Sequence, residues 1–139
     1  MWHRTYSAIT NETSAEALWD EQTDVNNWPA MGDDLEWTRL EGPAGTGKEF
    51  FLKPKGGPKV RLTIEQCSRP SVFADKSHLP LCKMVFTHTF SKTPQGVRID
   101  LDLRMHGPLT FLWKKVIGQK QVEDFPAHVQ ALIAAAKKR

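Results

Sequence analysis

Long apolar runs are missing from this sequence of 139 residues. A helix that spans a membrane needs about 20 consecutive apolar residues. The N-terminal stretch from Met1 to Thr10 also lacks the apolar core of a signal peptide. We therefore expect a soluble, cytoplasmic protein without a membrane span.

Cysteine is scarce, and the chain holds only Cys67 and Cys82. Two cysteines at this separation match no common metal-binding spacing, and they are too few to build a disulfide scaffold. The 5 histidines show neither an HExxH motif nor a close pairing with cysteine. We expect free thiols, no metal site and no cofactor.

The chain also lacks a strong excess of either charge. Lys and Arg number 19 and Asp and Glu number 16, which gives a formal net charge of +3. A nucleic-acid-binding domain usually concentrates far more positive charge on one face. We therefore expect no nucleic-acid partner, and charge does not indicate an oligomeric state. Most of the excess is interpreted as solvated surface at Lys53, Lys55, Lys59, Arg61 and Lys137–Arg139.

What remains is the composition of an ordinary globular protein. Hydrophobic residues make up 40% of the chain and charged residues 25%, as in folded domains generally. A chain of this length can bury roughly two-thirds of its unfolded surface around one core. With no linker or repeat to divide it, we expect a single domain over residues 1–139.

Hydrophobic periodicity predicts a strand, two short helices and then about six antiparallel strands. Thr13 and Glu16 form a possible capping box for the first helix, and a second short turn runs from Asp24 until Pro29 ends it. From Asp33 onward the apolar residues alternate, and turn signals separate the alternating rows. The clearest row is Val97 to Met105, in which every second residue is apolar.

The C-terminal part has helical periodicity. An apolar stripe is predicted at Leu109, Leu112, Val116, Val122, Phe125, Val129, Leu132, Ile133 and Ala136. Gly118 and Pro126 weaken this helix, so we expect a kink within 121–125. One amphipathic helix cannot cover a broad curved sheet along its whole length, which favours a cavity between the two.

Several segments carry a family resemblance. The first helix, TSAEALW from Thr13 to Trp19, is followed by Asp24 and by NWP at 27–29. Further matches follow in the same order at 45–47, 64–70, 87–90, 93–96 and 107–109. Over Ser7 to Lys137 the chain resembles the START-like, Bet v 1-like (SRPBCC) superfamily, in its polyketide cyclase/dehydrase branch.

The resemblance implies an α+β helix-grip fold. In this fold a curved antiparallel sheet wraps around a long C-terminal helix, and two short helices follow the first strand. Members bind lipids, polyketides or other hydrophobic molecules in a deep pocket, and some catalyse cyclisation or dehydration there. The matching segments are structural, so the resemblance implies fold more directly than activity.

One segment imitates a phosphate-binding motif. Residues Gly42–Lys48 match the P-loop pattern up to its lysine, but Glu49 stands where a Ser or Thr hydroxyl would bind magnesium. The residues that follow, 50–54, alternate like a strand and do not open the helix that a P-loop requires. We interpret the segment as a glycine-rich hairpin turn.

Two polar residues are candidates for the pocket. His88 shares its strand face with Met84, Phe86 and Phe90, so its imidazole is expected to project into an apolar cavity. Asp75 is a weaker candidate, for which a surface carboxylate is the favoured interpretation. For His88 the favoured interpretation is a core histidine bonded to a carbonyl or hydroxyl. The predicted ligand-binding wall comprises Trp37, Phe50, Leu62, Phe73, Met84, Phe86, His88, Leu101, Leu103 and Leu112.

Three functions stay open at this point. The first is binding of a small hydrophobic molecule, aromatic or lipid-like, in the cavity. The second is a cyclase or dehydratase that uses the same cavity, with His88 or Asp75 as a proton carrier. The third is a protein-interaction module with a filled cavity. The sequence has no recognisable Ser-His-Asp order, Cys-His pair or carboxylate dyad that would identify an enzyme.

Overall fold

A computed structural model describes residues 1–32 and 34–139. Asp33, at which the change to a strand pattern was predicted, lies outside the described residues. In the described part of the chain, seven antiparallel strands form one sheet in the order β1-β7-β6-β5-β4-β3-β2. The strands are β1 (Trp2–Thr10), β2 (Leu35–Arg39), β3 (Glu49–Pro54), β4 (Val60–Ser68), β5 (Val72–Leu79), β6 (Cys82–Thr93) and β7 (Gly96–His106).

Two short helical elements follow β1, and a segmented helix follows β7. The first two are helix α1 (Ala15–Thr23) and a 3-10 helix (Val25–Met31). The C-terminal segments are α2 (Thr110–Trp113), a π-helical turn (Lys114–Gly118), α3 (Gln119–Glu123) and α4 (Phe125–Ala136). The predicted helix-grip fold class is confirmed, including the break expected within 121–125.

The beginnings and ends of the short helices differ from the prediction. Ser14 caps α1, because its side chain accepts a hydrogen bond from the backbone N–H of Ala17 at 3.0 Å. The predicted cap, Thr13, lies one residue too early. The 3-10 helix continues past Pro29 to Met31, where side-chain bonds support it: the Trp28 indole N–H donates to the Gln22 carbonyl at 2.9 Å.

The long hairpin of β6 and β7 lies between β1 and β5 in the sheet. Its tight turn needs glycine at position 96, which has a φ of +133°. A Cβ atom there would lie 2.4 Å from the carbonyl oxygen of Thr10 at the end of β1. Because that contact is impossible for any other residue without backbone movement, Gly96 lets β1 run close beside the turn.

Helix α4 covers the inner face of β7. The buried residues of the helix are Phe125, Val129, Leu132, Ile133 and Ala136. They share one hydrophobic cluster with the buried row of β7, which is Val97, Ile99, Leu101, Leu103 and Met105. The alternation predicted for β7 and the C-terminal half of the predicted stripe are therefore confirmed.

The first half of the predicted stripe is wrong at Leu112 and Val116, while Val122 packs against the core as predicted. Leu112 and Val116 are 43% and 58% exposed. The physical reason is the π-helical turn, which holds more residues per turn than an α-helix and so rotates the side chains that precede it. At its end Gly118 lies against β1, where an added Cβ would meet the Trp2 ring at 2.7 Å.

A second, smaller hydrophobic cluster lies under the 3-10 helix. Its buried members are Val25, Leu40, Phe50, Leu62, Ile64 and Phe73. The Trp28 ring meets Phe50 edge-on at 5.4 Å and Phe73 edge-on at 6.3 Å. This cluster fills the space between the 3-10 helix and the part of the sheet formed by β3 and β4.

The P-loop-like segment joins the antiparallel strands β2 and β3. The ammonium of Lys48 donates hydrogen bonds to the backbone carbonyls of Glu41 at 2.7 Å and Pro43 at 3.0 Å. The lysine therefore closes its own loop, and the predicted hairpin turn is confirmed. Within the described residues Cys67 and Cys82 form no disulfide.

The exposure difference between two leucines of the C-terminal segment generates a prediction. We expect Leu132→Ala to lower the free energy of unfolding by about 2–5 kcal/mol, because it leaves a cavity in the core. Leu112→Ala, at an exposed position of the same segment, is expected to cost less than about 0.5 kcal/mol. Urea unfolding of both variants measures the difference, and equal costs would show that α4 buries another face.

Candidate functional site

Four polar or aromatic side chains come together on the inner face of β5 and β6. Asp75 is paired directly opposite Phe86, and His88 directly opposite Phe73. Because side chains on alternate residues of a strand share a face, Asp75, Ser77, Phe86 and His88 all point towards the helices. Asp75, Ser77 and His88 are buried.

Asp75 is an unpaired buried carboxyl group. It is 6% exposed, which contradicts the surface interpretation. Burial raises its pKa from 3.8 to about 7. No hydrogen bond and no charged group among the described residues lowers this pKa again. Near neutral pH the group is therefore a mixture of carboxylic acid and carboxylate.

His88 is bonded to a second histidine. It is 2% exposed, and its Nε2 lies 2.8 Å from Nε2 of His128 on α4. The His88 ring stacks on Phe86, with 4.5 Å between ring centroids and 18° between planes. Its Nδ1 is buried without a hydrogen-bond partner among the described residues. The expected inward position is confirmed, and the bonding partner is an imidazole instead of a carbonyl or hydroxyl.

The two imidazoles form a neutral pair. Burial, followed by the neighbouring His128, holds the pKa of His88 well below its ordinary value of 6.5. Burial also lowers the pKa of His128, although the charge of Asp124 opposes that shift. With both rings neutral, one Nε2 donates the shared proton and the other accepts it. The pair links the sheet to α4.

Sequence reasoning missed His128. Its signal was its position on α4, three residues after Phe125 and four before Leu132, at the edge of the apolar stripe. Such a position allows either burial or exposure. The docking of α4 decides between them, because it brings His128 to a strand residue 40 positions earlier.

Phe86 differs from the other aromatic residues of the predicted wall. It faces the interior and contacts the core cluster, but it is only partly buried. Its ring lies 5.7 Å from Phe125 and 5.8 Å from His128. An inward-facing aromatic residue directly opposite Asp75 is therefore not fully covered by the rest of the protein.

Most of the predicted wall lies on the inner face but in two separate places. Met84, Leu101 and Leu103 pack in the cluster beneath α4. Phe50, Leu62 and Phe73 pack in the cluster beneath the 3-10 helix. All six are buried. The interior is thus largely filled at both ends, with Phe86, Asp75 and Ser77 between them.

Trp37 and Leu112 do not belong to this wall. An irregularity between Leu35 and Trp37 shifts the register of β2, so Trp37 pairs with Lys53 and points to the outer face. There the Arg39 guanidinium lies 5.1 Å above the Trp37 ring. Leu112 is 43% exposed for the reason given above. We correct the assignment of both residues.

Two clefts lie away from this interior site. One, of about 630 Å³, is on the outer face of the sheet and includes Trp37, Arg39 and Phe51. The other, of about 280 Å³, lies between the 3-10 helix and the chain end, around Glu21 and Arg139. Neither contains a residue of the Asp75, Phe86 and His88 group.

Neither a metal-ligand cluster nor a membrane-spanning helix is found among the described residues. No three His, Cys, Asp or Glu side chains of this part of the chain are grouped as a metal ion would require. No helix in the described ranges combines the length and apolar character needed to cross a membrane.

Comparison with known proteins identifies the fold. No protein-family model and no curated protein matches the sequence. A crystal structure of a Mesorhizobium loti protein superposes with a TM-score of 0.77 and 14% identity, covering 99% of this chain and 98% of that one. Ara h 8.0201 superposes with a TM-score of 0.72 and 12% identity, covering 99% and 100%.

One half of a di-domain protein has the same architecture. The di-domain ARO/CYC BexL of the BE-7585A biosynthetic pathway superposes with a TM-score of 0.69 and 15% identity. The match covers 99% of this chain and 49% of that di-domain chain. These structures show that the chain has a Bet v 1-like fold, as the sequence resemblance implies.

The opposite pKa shifts in the interior generate a prediction about pH. The folded protein loses stability when the pH falls below 6.5, the unfolded pKa of its buried neutral histidines. The unfolded chain then binds protons that the folded chain does not bind. Asp75 acts oppositely, because its pKa is raised in the folded protein. The stability that its protonation contributes is fully present below pH 3.8 and is lost as the pH rises through about 7. In the wild type these effects partly cancel.

We therefore expect Asp75→Asn to expose the histidine effect. The free energy of unfolding of this variant is expected to fall by about 2 kcal/mol more than that of the wild type between pH 7 and pH 5. His88→Gln is expected to fall less than the wild type over the same interval. Urea unfolding at the two pH values gives both differences, and parallel pH profiles for all three proteins would contradict the assigned burial.

Proposed function

We propose that this protein binds a small hydrophobic molecule in the interior between the sheet and the C-terminal helical segment, with the ring of Phe86 as a contact surface. One observation carries the proposal. Phe86 faces the interior yet stays partly exposed, directly opposite the buried, unpaired carboxyl group of Asp75. A ligand over this ring would cover apolar surface that is otherwise left to water.

The surroundings have the usual character of a small-molecule site. Such sites are mostly apolar and hold a few polar groups that orient the ligand. Here Met84 and Leu103 flank the ring as buried apolar neighbours, while Asp75 and Ser77 supply polar atoms on the same face. The apolar side chains would provide affinity, and the polar groups would orient the ligand.

The helical segment before α4 is weakly anchored, which supports ligand entry along it. Of the described residues in α2, the π turn and α3, Gly118 is the one that is buried. A hydrogen bond from the Trp113 indole to the Pro80 carbonyl, at 2.9 Å, holds the start of the segment. Segments with so few buried contacts open at low free-energy cost, so a ligand can enter without unfolding the core beneath α4.

Dye binding to two phenylalanine variants tests the proposal. Phe86→Gln removes the inward ring, and Phe51→Gln is the matched control, because Phe51 is partly buried on the outer face under Lys59. We expect Phe86→Gln to bind the neutral dye N-phenyl-1-naphthylamine at least about tenfold more weakly, a loss near 1.4 kcal/mol. The control variant should bind like the wild type.

Two results would contradict the proposal. One is equal affinity of both folded variants and the wild type for the dye, measured by fluorescence titration. The other is a wild-type protein that binds no neutral hydrophobic probe and releases no small molecule in native mass spectrometry. Circular dichroism of each variant verifies that the comparison is made on folded protein.

A cyclase or dehydratase is the second candidate function, and one observation favours it. Asp75, with a pKa near 7, and the neutral His88–His128 pair lie on the same interior surface. Groups that ionise near the working pH are suited to move protons. One similar structure is described as an ARO/CYC protein of a biosynthetic pathway.

The His88→Gln variant distinguishes catalysis from binding. If the protein is an enzyme, turnover of a poly-β-keto thioester is expected to fall by about 100-fold to 10,000-fold while dye affinity stays nearly constant. If the protein only binds, no turnover above the uncatalysed rate is expected in the wild type. Liquid chromatography of the products distinguishes the two.

A further inference from the structure

We propose that the ligand of this site carries a positively charged amine, which lies between the carboxylate of Asp75 and the ring of Phe86. The inference rests on the proposed binding function and specifies the chemical class of the ligand. It follows from the charges of the described interior residues, taken one at a time.

The first step is the unmet charge of Asp75. A carboxylate buried in apolar surroundings is costly unless a cation or several hydrogen bonds compensate it. Asp75 has neither among the described residues, since burial alone acts on its pKa. Replacing such a group by leucine would cost little in a protein that needed it only for packing. Its presence therefore points to a partner that the chain itself does not supply.

The second step concerns the other inward titratable groups. His88 on β6 and His128 on α4 have pKa values lowered by burial, so neither ring provides positive charge at neutral pH. Their Nε2 atoms also satisfy each other at 2.8 Å. Asp124, which acts on His128, adds negative charge and not positive. An anionic ligand would thus meet no cation at this surface.

The third step is the position of Phe86. Residues directly opposite each other in an antiparallel pair have Cβ atoms about 4.5–5.5 Å apart, and Asp75 and Phe86 are such a pair. The face of an aromatic ring attracts a cation. An ammonium group can therefore contact the ring and the carboxylate together. Ser77, two residues along the same face, adds a hydroxyl that can accept a further N–H.

A matched series of naphthalene probes tests the inference. The probes are 2-naphthylmethylamine, 2-naphthylmethanol and 2-naphthoate, which share the aromatic body and differ in charge. By isothermal titration at neutral pH we expect the wild type to bind the amine at least about tenfold more tightly than the alcohol. The carboxylate is expected to bind most weakly.

Variants of two aspartates identify the group responsible. In Asp75→Asn the amine and the alcohol are expected to bind with equal affinity, while alcohol binding stays within about twofold of wild type. Asp102→Asn is the control, because Asp102 lies on the outer face in an ion pair with Arg104, and it should keep the preference for the amine. Asp75→Leu removes the same carboxyl group should the amide variant fail to fold.

The possible outcomes distinguish failure of the inference from failure of the proposed function. A wild type that binds the alcohol as tightly as the amine overturns the inference and leaves the proposed function standing. A preference for the amine that persists in folded Asp75→Asn or Asp75→Leu overturns it as well. Failure of all three probes and of the neutral dye to bind overturns the proposed function, and the inference with it.

Discussion

The packing of α4 on the inner face of β7 is the contact on which the other features depend. A 12-residue helix that begins with Phe125 and Pro126 is too short to be stable alone in water, so burial of its apolar side chains against the sheet must hold it. That burial also carries His128 to His88. The segment before it, from Thr110 to Glu123, depends less on such burial. Of its described residues Gly118 alone is fully buried, while Trp113, Ile117 and Val122 pack against the core and stay partly exposed.

Burial acts on the three interior titratable groups in opposite directions. It disfavours the charged form of each, so the pKa of Asp75 rises while those of His88 and His128 fall. The two imidazoles are consequently uncharged near pH 7, while Asp75 is partly ionised. Burial also leaves Asp75 as an interior carboxyl group with no cationic partner among the described residues, and the proposed preference for an amine rests on this asymmetry.

Features that depend on local periodicity could be predicted from the sequence. The alternation from Val97 to Met105 required a strand with one buried face, and the turn signals between rows required antiparallel neighbours. Gly118 and Pro126 indicated an interrupted helix, and the residues after Lys48 excluded a P-loop. Each of these follows from backbone geometry over fewer than about a dozen residues, so the sequence alone contains the necessary information.

The composition of the site depended on tertiary structure. One irregularity in β2 turned Trp37 to the outer face, since a single extra residue inverts the parity of a strand. One π-helical turn rotated Leu112 towards solvent. The His88–His128 bond and the burial of Asp75 depend on where α4 settles on the sheet. The sequence thus determined the strands, turns and apolar stripe from local spacing. Only the tertiary structure decided which side chains share the interior, because that depends on register between distant segments.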